Sequence, residues 1–191
     1  MTVLAEADSE YETLCTGAGR YEQDPDLWWR HMILALQVAA AKAGVRASEI
    51  GRIAISSQAP TMLPVDAAGR PLCNALIWMD RRSDAQCIDM GRTIGSEAVY
   101  RITGNKADPF YVYSELLWFK QNQPALYEKT RWILQANGYL NSGSPAASRS
   151  TPHMQALRSA MMSCSIAGAV SCCVPMACLQ NCFRRSASRS T

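Results

Sequence analysis

All sixteen acidic residues of this 191-residue chain lie before residue 141, and that boundary limits what the chain can fold into more than any motif does. The first 140 residues carry those sixteen acids and fourteen bases; the last 51 carry five arginines and no acid. The formal charge of +3 therefore describes no single surface, since a nearly neutral body is joined to a basic tail. The body has no basic stripe, so a nucleic-acid partner is not expected. With 48% hydrophobic and 18% charged residues the chain as a whole is not disordered, and its length suits one globular domain. Residues Met1 to Ala5 lack the basic and apolar regions of a signal peptide, and a cytoplasmic location is expected.

Cysteine usage repeats the division. Cys15, Cys73 and Cys87 are scattered through the body, whereas Cys164, Cys172, Cys173, Cys178 and Cys182 crowd into the tail. Their spacing fits no zinc site, and no secretory context supports a disulfide framework. The tail also holds eleven serines and neither Tyr nor Trp, so residues 141–191 are expected to be an unstructured, low-complexity basic segment, translated in a shifted frame. An uncharged run from Ser159 to Phe183 is long enough to span a membrane, but Pro175, Gln180 and Asn181 interrupt it, so a membrane partner is not the expected reading.

The body alternates strand and helix signals. Val3 to Thr13 alternates loosely and suits an exposed strand, after which Gly17 and Gly19 break the chain. Asp24-Pro25-Asp26 predicts a helix start, and the helix ends at Gly44 with Trp29, Ile33, Leu36 and Ala40 on one face. His31 on that helix reads as a packing residue rather than a ligand. Arg52 to Ser57, Met62 to Val65, Asn74 to Met79 and Trp132 to Leu134 predict strands, with a turn at Asp66 to Gly69. Helices are expected from Ser83 or Asp84 to Gly91, over Glu97 to Ile102, over Ser114 to Gln121 through Leu117, Trp118 and Gln121, and after Pro124. Strands separated by helices argue an α/β layered fold.

Neither a P-loop nor a dinucleotide fingerprint is present, and Ser56-Ser57 lack the partners of a hydrolase triad. The chemistry-bearing cluster is Gln58, after one predicted strand, with Trp78, Asp80, Arg81 and Arg82 closing another. Polar groups beyond strand ends are common ligand positions in open α/β sheets. An amide, an indole, a carboxylate and a guanidinium suit a polyol, whose hydroxyls need donors and acceptors and whose C–H face stacks on a ring. The same residues also suit an ordinary salt-bridged turn after a buried strand, and the residue types alone leave both readings open.

The segments EQDPDLWW (Glu22 to Trp29), IGRIAISSQ (Ile50 to Gln58), VDAAGRPLCNALIWMDRR (Val65 to Arg82) and the run from Ile102 to Lys129 resemble the FGGY carbohydrate kinases, nearest to their xylulose kinases. The resemblance runs from Thr2 to Leu140. It implies a ribonuclease H-like (actin-like ATPase) domain, incomplete, as part of an enzyme that transfers a phosphoryl group from ATP with Mg2+ to a pentulose or related sugar. It also implies a small-molecule sugar partner and substrate-binding roles for Gln58, Ala59, Trp78, Asp80, Arg81 and Phe110. The family's opening phosphate motif, its general-base aspartate and its second domain have no counterpart here, so the fragment is expected to be inactive alone and to bind neither ATP nor Mg2+ well. Ala59-Pro60 stands where glycerol kinases place Arg-Glu and xylulose kinases Met-His, and these residues offer no side-chain hydrogen bonds. The alternative is a non-enzymatic product, either a sugar-binding remnant or a small tail-anchored membrane protein.

Overall fold

The computed structural model describes residues 2–142 and 173–175. Helix α1 (Pro25–Ala43) begins as its sequence dictates. Asp24 accepts a hydrogen bond from the Asp26 amide at 2.9 Å, Pro25 occupies the first turn, and Asp26 meets the positive end of the helix dipole. It ends at Gly44, whose φ of 65° is a left-handed cap that favours glycine. Trp28, Trp29 and Ile33 are almost fully buried, while Leu34 on the opposite side is 50% exposed.

Before α1 the chain forms a hairpin of β1 (Leu14–Gly17) and β2 (Arg20–Gln23), paired antiparallel. The glycines thus mark a hairpin rather than a simple break: Gly17 closes β1 and Gly19, at φ 67°, lies in the turn. The strand expected over Val3 to Thr13 does not form; the ladder begins only at Leu14. Alternation specifies a strand only where a neighbour supplies the ladder and a floor takes the apolar face, and Val3 and Leu4 are 71% and 73% exposed. His31 has the packing role expected of it: Nδ1 is 2.8 Å from Ser9 Oγ in a hydrogen bond, and the ring leans on Tyr11.

The sheet continues with β3 (Thr61–Val65), β4 (Ala75–Ile77), β5 (Trp132–Leu134) and β6 (Cys173–Pro175). Its order is β1-β2-β4-β3-β5-β6, and every neighbouring pair is antiparallel. The predicted turn after β3 is present, with Asp66 Oδ1 accepting from the Ala68 and Arg70 amides. The other helices are α2 (Asp84–Thr93), α3 (Ser96–Thr103), α4 (Val112–Asn122), α5 (Pro124–Lys129) and α6 (Ala136–Ser142).

Period two along the strands divides the core between two faces. Leu63, Val65, Ala75 and Leu134 join Trp28, Trp29, Ile33 and Tyr139 of α1 and α6. Met62, Leu76 and Ile133, one residue out of phase, join Leu116 and Phe119 of α4. The result is the expected α/β layering, with helices on both faces of the sheet.

Three further expectations are corrected. Arg52 to Ser57 joins no strand of the sheet, although Ile53 and Ile55 still pack against the α1 side. Its β-branched pattern is right, but among the described residues no strand lies beside it. Helix α4 buries Ser114, Glu115, Leu116 and Phe119 rather than the face through Leu117, Trp118 and Gln121. Helix α6 went unpredicted because Asn137 and Gly138 are weak helix formers; burial of Tyr139 and Leu140 compensates.

The expected unstructured tail and the uncharged run over 159–183 lie outside the described residues, apart from 173–175, which pair with β5. Among the described residues no helix is long and apolar enough to cross a membrane. Ile33→Ala should cost about 3 kcal/mol of stability and the exposed Leu34→Ala under about 0.5 kcal/mol, as read by urea denaturation.

Candidate functional site

Register places the candidate residues. Thr61 pairs with Ile77 and Met62 with Leu76, so the residues entering β3 and those leaving β4 meet at one end of the pair. Gln58 and Ala59 lead into β3 at the end of the pair where Trp78, which is 52% exposed, follows β4. Gln58 Nε2 donates to Gln23 Oε1 at 2.7 Å, and the same oxygen accepts from Trp28 Nε1 at 2.9 Å. Gln23 in turn donates to Thr13 Oγ1 at 2.8 Å. This relay holds Gln58 by its amide nitrogen, and among the described residues its Oε1 makes no hydrogen bond. Gln58 also lies on the rim of a cleft of about 570 Å³ whose floor includes Trp28, Met32, Leu36 and Ile55.

Asp80 does not share that exposure. It is wholly buried and its carboxylate is saturated. Oδ2 accepts from the Tyr21 amide at 2.8 Å, and Arg82 reaches both oxygens through its backbone amide, Nε and Nη2 at 2.8–3.0 Å. Arg82 Nη2 also donates to Glu22 Oε1 at 2.8 Å, Glu22 Oε2 accepts from Asn74, and the Arg82 guanidinium lies 5.0 Å from the centre of the Trp118 ring. Burial works against the Arg82 charge, but its hydrogen bonds to Asp80 and Glu22 outweigh it and hold the guanidinium above its ordinary range. Asp80 thus ties the turn after β4 to the β1–β2 hairpin.

Arg81 faces the other way. Its amide donates to the Gly19 carbonyl at 2.7 Å, and its Nη1 donates to Asp108 Oδ1 at 2.7 Å. Asp108 begins the loop that carries Phe110, and Ser83 and Ser114 fasten that loop by donating to the Pro109 and Asp108 carbonyls. Phe110 packs on Tyr111, with ring centres 4.4 Å apart, and no ring contact joins it to Trp78. Gln58 and Ala59 thus lead into β3 and Trp78 follows β4 at the same end of the strand pair, Asp80 lies beneath the surface, and Arg81 connects to the Phe110 loop through Asp108. Sequence reasoning missed the roles of Gln23 and Glu22, although both belong to the quoted EQDP run. It also gave no role to Glu115, because a carboxylate at full burial leaves no mark in sequence.

Nucleotide phosphates and Mg2+ do not fit the described residues. Glu22 and Asp80 are spent on Arg82, and no group of three metal-ligating side chains occurs among the described residues. The hairpin glycines form no open phosphate cradle, since a Cβ at Gly19 would lie 3.3 Å from that of Arg81.

The chain matches the FGGY family of carbohydrate kinases, N-terminal domain, over residues 1–162, a stretch that extends past Leu140. It is 33% identical over 123 residues to a glycerol kinase of Methylibium petroleiphilum, covering 64% of this chain and 25% of that protein. With a xylulose kinase of Bacillus subtilis it shares 31% identity over 138 residues, covering 72% of this chain and 28% of the relative. Among solved structures, a xyloylose kinase from Brucella ovis superposes with a TM-score of 0.67 at 26% identity, covering 72% of this chain and 28% of that one. A xylulose kinase from Rhodospirillum rubrum gives 0.63 at 23% identity, covering 68% of this chain and 27% of that one, a likeness of fold. The chain thus spans about a quarter of the length of the relatives it matches.

The Arg82 cluster predicts a sharp contrast between buried and exposed ion pairs. Arg82→Gln leaves Asp80 buried and uncompensated and should cost about 3–5 kcal/mol in chemical denaturation. Arg46→Gln, which breaks an exposed pair with Glu49, should leave the denaturation midpoint unchanged.

Proposed function

The chain belongs to the FGGY family of carbohydrate kinases, and from that premise we propose that its described domain forms the sugar-facing part of an ATP-dependent phosphotransferase acting on a pentulose or related sugar. The observation that supports this reading is the β3–β4 register, which brings the segment that follows Gln58 and the half-exposed Trp78 to the same end of the strand pair, with Gln58 Oε1 free of hydrogen bonds among the described residues. Gln58 Oε1 accepts a sugar hydroxyl, while the Trp78 ring takes the C–H face of the sugar. The relay through Gln23 and Trp28 holds the amide in one orientation, so little side-chain entropy is lost on binding.

Asp80 supports the site from below in this reading rather than touching substrate. Arg81 and the Asp108 ion pair set the position of the Phe110 loop, which borders the sugar. Ala59 contributes backbone and shape, not a side-chain hydrogen bond. ATP supplies the phosphoryl group in the family reaction with Mg2+ neutralising its charge, and no step of that transfer is assigned to the described residues.

The test is a titration of the full chain with D-xylulose and with glycerol, followed by tryptophan fluorescence. Saturable binding is expected, weakened roughly tenfold in Trp78→Ala, the worth of one stacking contact of about 1.4 kcal/mol. Equal binding by the variant, or no saturation with either compound, overturns the assignment. Sugar-dependent ADP formation, measured separately, distinguishes an enzyme from a sugar-binding protein without turnover.

A further inference from the structure

Glu115 lies in the first turn of α4 with no exposed surface, and neither carboxylate oxygen has a hydrogen-bond partner among the described residues. Trp118, three residues on and therefore its neighbour on the helix surface, rests on the Arg82 guanidinium. Glu115 is thus placed beside a buried cluster whose one cation is already spent on two carboxylates, Asp80 and Glu22. A third charge there would be negative, enclosed and unpaired, which is among the most costly arrangements a fold can hold.

We propose that Glu115 is a proton-dependent packing element: neutral, it is tolerated in the closed packing at the start of α4 beside the Asp80–Arg82 cluster, and on ionising it loosens that packing. The proton passes to solvent, and the carboxylate left behind repels Asp80. The charged groups acting on Glu115 are Asp80, which opposes ionisation, and Arg82, which favours it; Glu22 acts through Arg82. From α2, the Cys87 thiol lies against Ser114, the neighbour of Glu115, with Asp84 and Arg81 near that thiol. The strands and α5 bring Met62, Leu76, Ile133, Leu126 and Tyr127 to the adjoining apolar cluster.

The first turn of α4 also holds the Phe110 loop, through Ser114 Oγ on the Asp108 carbonyl and the Tyr111 carbonyl on the Ser114 and Glu115 amides. Ionisation of Glu115 therefore loosens residues 108–111. Its consequence for sugar binding rests on the proposed function, but the proton dependence itself does not.

The sign of the pH effect follows from linkage. Burial first, and Asp80 second, raise the Glu115 pKa well above the ordinary 4.5, with Arg82 opposing. The folded state therefore binds this proton more tightly than the unfolded state does. The stabilisation is complete below the ordinary glutamate range and is lost as pH rises through the raised value.

Thermal melts of the full chain and of Glu115→Gln across acidic to mildly alkaline pH test this without any sugar present. The wild-type midpoint should fall as pH rises; the variant, which keeps the shape without the titration, should change less and melt higher at the alkaline end. Superimposable profiles overturn the proposal. Should the variant not fold, infrared titration of the wild type decides, because a protonated-carboxyl C=O band must persist at neutral pH and its absence overturns the assignment. Hydrogen exchange of residues 108–115, corrected for intrinsic rates, should accelerate with pH in the wild type; unchanged protection overturns the loosening step.

Discussion

The geometry around the site depends on one buried ion cluster. Arg82 extends from the turn after β4 and binds both Asp80, beside it in sequence, and Glu22, sixty residues earlier. The Tyr21 amide completes the Asp80 shell from the same strand as Glu22. A short strand pair such as β2–β4 has few ladder hydrogen bonds of its own, with only Glu22–Leu76 and Gln23–Ala75 in register. The guanidinium, planar and bidentate, adds the directional contacts that the ladder lacks. Without it the β1–β2 hairpin would keep only those two ladder pairs and a few single hydrogen bonds such as Arg81 amide to Gly19 carbonyl, and two carboxylates would be left enclosed without a cation.

Around that cluster the two halves of the core are built by different means. On the α1 face aromatic rings dominate, with Trp28, Trp29 and Tyr139 packed on Leu63 and Val65. Two of those rings have their polar ends satisfied within the same layer, where Trp28 Nε1 donates to Gln23 and Tyr139 OH donates to Asp26 at 2.9 Å. These bonds connect the core to the relay that reaches Gln58, so burial and site geometry share members. On the α4 face Met62, Leu76 and Phe119 give an apolar surface, and Glu115 stands next to it as a carboxylate that the protein must keep neutral.

What could be read from the chain beforehand followed local chemistry. The cap at Asp24, the stop at Gly44, the turn at Asp66 and the strands β3 and β5 each rest on a few neighbouring residues whose preferences agree, and each is present. The failures occur where a segment depends on something distant. Arg52 to Ser57 carries a strand pattern but has no adjacent strand among the described residues. The α4 face was misassigned because a glutamate reads as solvent-facing by type, whereas Glu115 is covered. The pairing of Gln58 with Gln23 spans thirty-five residues in sequence, a separation no local periodicity records.

By itself the sequence determined both ends of the first helix, the α/β layering, the family and the set of polar residues near the strand ends, because caps, turns and short patterns act over a few residues. Tertiary structure alone decided which of those polar residues face outward. Trp78 and Gln58 stand at the surface, whereas Asp80, two residues from Trp78, is fully enclosed. The strand's alternation cannot account for that difference, since β4 ends at Ile77 and the turn beyond it is shaped by Arg82, Glu22 and the Tyr21 amide. Burial of a charge is set by the partners that gather around it from elsewhere in the chain, and only the assembled fold brings them there.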